Sequence, residues 1–201
     1  MDRTRRALHS VLSSEIENHS IELVSVIVGL KIPEQLQNLP VNGGVFAVWM
    51  VLQQHQMQVD IAKLIQICRH DDGNGTFGIG LAVGLRQLGF AVTLHSDEDL
   101  HVHERELCCY EAAKALQIPI AAALTYQHIQ TAVAQGKLVI VYYDTLQGIG
   151  NHSLVYSINA QEICFFDSFD AMSATVFEQQ RQAEGICRQV IVIGQYYGMR
   201  C

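Results

Sequence analysis

The residues whose types and order could do chemistry are Gln37, the turn Asn42-Gly43-Gly44, His152 and Asp167. The turn opens the apolar run VFAVWMVLQ, so position 43 falls at the first turn of an expected helix. A thiol at such a place is activated, because the partial positive charge of the helix N-terminus stabilises thiolate. A histidine must then take the thiol proton, and a carboxylate or amide must orient that histidine. His152 and Asp167, fifteen residues apart, are candidates for those two roles, and Gln37, six positions before Gly43, is a candidate donor to a developing oxyanion. Gly43 itself carries no side chain, so no covalent step can run through position 43 in the chain as it stands.

The elements that must position these residues can be read from periodicity. Residues 4–18 pattern as an amphipathic helix, and the apolar stretch 21–30 fits either a helix or a strand. Pro33 and Pro40 bracket a loop. The run from Gly44 to Gln53 is apolar on every side and too long for a typical strand, which predicts a buried central helix with Asn42 as its N-cap. Further helices are expected over 58–68 and 77–88, the latter stopped by Gly89, and over 104–117, 125–135 and 175–183. Strands are expected at 90–95 and, from Lys137 onward, in LVIVYY, SLVYSI, EICFF and RQVIVI. Helices first and strands later predict an α+β domain in which a mainly antiparallel sheet packs on the buried helix.

Placing His152 beside Asp167 requires a particular hairpin. If Asn159 and Ala160 form a two-residue turn, counting outward sets Tyr156 opposite Ile163, Leu154 opposite Phe165, and His152 opposite Asp167 on one face. A slip of one residue would send the two side chains to opposite faces.

Each motif has an ordinary structural explanation when taken alone: a turn with a capped helix, a surface glutamine, a strand-end histidine, a turn-capping aspartate. Taken in order, they resemble the bacteriocin-processing (double-glycine) peptidase family and its stand-alone relatives in the papain-like superfamily. The residues that carry the resemblance are Gln37, Gly43-Gly44 with VFAVWMVL, Gly75-Thr76 followed by LRQLGF, and then HIQTAVAQGKLVIVYY, NHSLVYSI and ICFFDS. It covers roughly residues 36–170, leaving 1–35 as an N-terminal helical extension of one papain-like domain over 1–201. It implies Gly43 in the nucleophile position, His152 as general base, Asp167 as its orienting group and Gln37 as an oxyanion-hole donor. Asn42, Gly44 and Asn151 would line the substrate cleft. The chain departs from the family at Gly43, and again at Ser168, where proline often follows the aspartate. Without an ATPase or membrane segment, a stand-alone relative is expected rather than a transporter-linked one.

Composition narrows the partners. The chain of 201 residues is long enough to bury roughly 70% of its unfolded surface. A net charge of -7, with no basic stripe beyond Arg3, Arg5 and Arg6, argues against nucleic acid. The N-terminus has no signal-type apolar region and 21–30 is too short to cross a bilayer, so a cytoplasmic protein with no membrane partner is expected. No cysteine pair has C-x-x-C spacing, so reduced thiols are expected and no cofactor or metal. His101, His103, Glu104 and Glu106 read as a solvated loop and helix start. The leading expectation is a cysteine peptidase acting on a peptide or protein substrate, present without its nucleophile. The alternatives are a natural pseudopeptidase that binds a peptide or partner protein in the cleft, and a related acyl-transfer enzyme of deamidase or transglutaminase-like type.

Overall fold

The structure is a computed structural model that describes residues 31–100, 102–145, 148–168 and 170–198. The chain divides into two compact units, 1–33 and 34–201, and every described element belongs to the second. The expected helix at 4–18, the segment 21–30, His101 and Cys201 lie outside the described residues.

Among the described residues there are seven helices: α1 (Glu34–Gln37), α2 (Gly43–Gln54), α3 (Ile61–Ile67), α4 (Gly78–Gln87), α5 (Glu104–Ala115), α6 (Tyr126–Ala134) and α7 (Ala174–Arg181). The strands are β1 (Phe90–Ser96), β2 (Ile120–Ala122), β3 (Leu138–Asp144), β4 (Gly150–Ile158), β5 (Glu162–Phe165), β6 (Met172–Ser173) and β7 (Val190–Tyr196). They form one sheet in the order β2-β1-β7-β3-β4-β5-β6. Only the β1–β2 pair is parallel among them, so the fold is α+β with a mainly antiparallel sheet, as the sequence predicts.

The central helix forms where the apolar run requires it. In α2, Val45, Val48, Val51 and Leu52 are fully buried and Trp49 nearly so, and the helix packs on β4. Its close approach to α4 depends on Gly44, where a Cβ would stand 3.0 Å from the Thr76 Cβ and 3.2 Å from Leu81. Asn42 precedes the helix as expected but does not cap it with its side chain; the amide instead donates to the Leu36 carbonyl at 2.8 Å. Asp60 and Thr125 do cap, each accepting a backbone N–H of the helix it opens. Gly89 ends α4 in the left-handed region at φ 97°, which favours glycine. Gly80 and Gly84 face the Cys68 and Ile67 carbonyls, where a Cβ would approach to 3.2 Å, so they serve helix packing.

The sheet has two packed faces. On one, Val139, Val141, Tyr143, Val155, Phe165 and Phe177 form a buried cluster with α6 and α7. Arg181 of α7 is fully buried beside this face, paired with Glu178 at 2.6 Å and donating to the Leu124 carbonyl at 2.9 Å. On the other face lie α2, over β4, and α4, over β1.

Candidate functional site

Gly43 opens α2 directly against β4. A Cβ built there would overlap the Asn151 side-chain oxygen and stand 3.3 Å from the His152 carbonyl. The part of His152 nearest to position 43 is therefore backbone. Asn151 is not free to swing aside without loss, because its Nδ2 donates to Ser153 Oγ at 3.0 Å, to Tyr143 Oη at 3.3 Å and to Asp167 Oδ2 at 3.4 Å. Gln37 ends α1 and is exposed.

The expected pairing of His152 with Asp167 does not form, and the reason is register. Asn159 does not sit inside the turn. Its N–H donates to the Glu162 carbonyl at 2.9 Å, and its Oδ1 accepts the N–H groups of Gln161 at 2.7 Å and Glu162 at 3.0 Å. This side-chain capping moves the turn to Ala160 and Gln161. Ile158 then pairs with Ile163 and Ser157 with Cys164, but beyond an irregularity at Tyr156 the partner of Val155 is Phe165. The bulge takes back one residue of a two-residue shift, leaving a net slip of one. Because side chains alternate along a strand, that slip inverts the face of Asp167 relative to His152.

Asp167 accordingly joins Ser153, whose hydroxyl donates to its Oδ2 at 2.7 Å, on the face of Tyr143 and Asn151. Asp167 keeps access to solvent, yet the groups packed around its carboxyl push its pKa up, while the Ser153 and Asn151 hydrogen bonds hold it down. Tyr143 and Ser153 complete the cluster, oxygen to oxygen at 3.1 Å.

His152 points to the opposite face. Its ring stacks on Tyr142 at 4.2 Å between centroids, and its Nε2 comes within 3.4 Å of where a Cβ of Gly78 would be. Only 6% of the residue is exposed, and Nε2 is buried without a hydrogen-bond partner. Burial drives its pKa down to about 3, so the imidazole is neutral at physiological pH. A general base works best with a pKa near the operating pH, and this one lies far below it.

The His152 ring borders a cavity of about 590 Å³ that reaches Thr76, Gly78, Glu106, Tyr142 and Gln189. Gln189 is 6% exposed and its Oε1 has no partner. Sequence reasoning missed Gln189, Tyr142 and Cys187 as wall residues. The available signal was a polar residue immediately before the apolar strand VIVI and a cysteine two positions earlier. Burial pushes the Cys187 thiol pKa up, which keeps it protonated. The expected solvated start at 103–106 is an N-terminal capping box in which His103 accepts from Arg105 N–H and Glu106 accepts from His103 N–H at 3.1 Å. Among the described residues, no three histidine, cysteine or acidic side chains gather as a metal site, and no helix is long and apolar enough to cross a membrane.

No protein-family model matches the chain, and no curated protein does. Among solved structures, the chain is similar to the peptidase domain of Streptococcus ComA, a bi-functional ABC transporter involved in a quorum-sensing pathway. The identity is 15%, over 77% of this chain and 91% of that one, with a TM-score of 0.48.

Proposed function

We propose that the chain is a papain-like pseudopeptidase, a domain that holds a peptide or partner protein in its cleft and does not cleave it. The observation that carries this reading is the Asn151 amide, seated where the first side-chain atom of a nucleophile at position 43 would stand and tied to three partners. The order of motifs from Gln37 to Asp167 supports the papain-like part of the reading. The separation of His152 from Asp167 across the sheet, and the low basicity of His152, support the non-catalytic part. A cysteine peptidase that has merely lost its thiol, a deamidase and a transglutaminase-like enzyme all need a base and an orienting group in contact. A cleft without a thiol can still make strand-like main-chain contacts with a peptide.

The test restores the thiol. Gly43→Cys is treated with an electrophilic peptide-like probe across pH 5 to 9 and followed by intact mass, with a thermal melt to verify folding. The expected outcome is no adduct at position 43 faster than that at the exposed Cys108. A rapid adduct at the introduced thiol that disappears with His152→Ala would overturn the reading. Should Gly43→Cys fail to fold, Gly43→Cys combined with Asn151→Ala clears the overlap and carries the same test.

A further inference from the structure

Cys108 and Cys109 are neighbours on α5, both with free thiols, Cys108 exposed and Cys109 buried. Adjacent residues on a helix ordinarily do not face each other. Here both side chains lean back onto one carbonyl, that of Arg105. The Cys108 thiol donates to it at 3.2 Å from three residues on, and the Cys109 thiol at 3.8 Å from four residues on. The Arg69 guanidinium, just past the end of α3, closes over the pair: its Nη1 donates to Cys108 Sγ at 3.4 Å and to Cys109 Sγ at 3.9 Å. The same nitrogen is anchored on the Cys108 carbonyl at 3.3 Å. Two sulfurs are thus gathered around one oxygen and one cationic nitrogen.

The chemistry open to this pair is narrow. A disulfide does not fit the helix, because consecutive Cα atoms are about 3.8 Å apart and an ordinary disulfide spans roughly 4.4 to 6.8 Å. Zinc is not served either, since it takes four ligands and, among the described residues, no third histidine, cysteine or carboxylate joins the pair. A soft ion content with two sulfurs remains, and Cu(I) is such an ion, one that thiolate ligands select. Its binding involves no change of oxidation state: each thiol forms one S–Cu bond and releases its proton to water. Two thiolates around one Cu(I) carry a net negative charge, which Arg69 opposes from hydrogen-bond distance of both sulfurs. A neutral thiol is a weak acceptor, so a guanidinium aimed at two of them is better matched to thiolates.

We infer that Cys108 and Cys109 form a two-coordinate site for Cu(I), with Arg69 as the positioning residue that balances its charge. Exposure of Cys108 gives the ion a way in, and Cys109, 2% exposed, holds it from the protein side. The inference goes beyond the peptide-binding reading and does not rest on it.

Anaerobic titration of the full chain with Cu(I), supplied as its acetonitrile complex in competition with a chromogenic Cu(I) chelator, tests this. Native mass spectrometry gives the stoichiometry, and a thermal melt verifies that each variant folds. The expected result is one ion per single chain, with an ultraviolet thiolate-to-copper charge-transfer band and two sulfur neighbours by X-ray absorption. Cys108→Ala and Cys109→Ala should each abolish that binding, Arg69→Gln should weaken it about tenfold, and Cys164→Ala and Cys187→Ala should leave it unchanged. If Cys109→Ala unfolds, Cys108→Ala, at an exposed position, carries the test with Arg69→Gln. Binding that survives Cys108→Ala, a copper-bridged dimer that survives Cys109→Ala, or a folded chain that takes up no Cu(I) would each overturn the site. Unchanged affinity in Arg69→Gln would overturn the part given to Arg69.

Discussion

The two faces of β4 treat polar groups in opposite ways. On the Tyr143 side of the strand, Asn151, Ser153, Tyr143 and Asp167 satisfy one another through hydrogen bonds of 2.7 to 3.4 Å, with the Asn151 oxygen reaching the start of α2. Toward α2 and α4, one residue along the same strand, His152 is buried with a bare Nε2, and Gln189 nearby has a bare Oε1. A closed network adds stability and fixes geometry, whereas an orphaned buried polar atom costs stability unless something completes it. The contrast sets a closed polar network on the Asp167 side against unpaired buried groups on the His152 side. It also separates the two residues that the sequence would join into one catalytic pair.

The largest expected effect lies with His152. Its folded-state pKa of about 3 lies below the ordinary histidine value, so the unfolded chain binds the extra proton first as pH falls. Stability from this group is full above about pH 6.5, declines as pH drops below that, and levels off below about pH 3. At pH 4.5 the loss is about 2 to 3 kcal/mol relative to about pH 7.5. His152→Phe keeps a ring to stack on Tyr142 and removes the proton linkage, so urea denaturation at the two pH values should lose most of that difference. An unchanged pH slope in His152→Phe would show that the imidazole is not buried as described.

Next in size is Ser153→Ala. Ser153 is fully buried and donates the 2.7 Å hydrogen bond to Asp167, but Asp167 can turn to solvent. A cost of about 1 kcal/mol is expected in denaturant midpoint at constant slope. Gln189→Leu should show the smallest change and the opposite sign. It trades an unsatisfied buried amide for an apolar group of similar length, so stability should hold or rise by about 0.5 kcal/mol. A clear loss in Gln189→Leu alongside no loss in Ser153→Ala would invert the comparison between the faces.

Much of the fold was legible because its patterns are local. The all-round apolar run at 44–53 could satisfy itself only as a buried helix, and α2 is that helix. Gly89 and the strands of the second half follow the same logic of turn residue and apolar stretch. The elements that went unread are those without a pattern: α1 with four residues, β6 with two, and β2, whose Ile120, Ala121 and Ala122 are all exposed and do not alternate. The candidate site was legible only in part. Position 43 does lie against 151–152, but Asn42, the expected cap, spends its amide on Leu36.

By itself, the sequence determined the order of the longer elements, the burial of α2 and the lack of a side chain at position 43, because these depend on composition and short-range periodicity. Only the tertiary structure decided which residues share a face. That depended on Asn159 capping its own turn and on a bulge at Tyr156. Alternation along a strand has a period of two, so a net shift of one residue, set by contacts no local pattern records, placed His152 and Asp167 on opposite sides of the sheet.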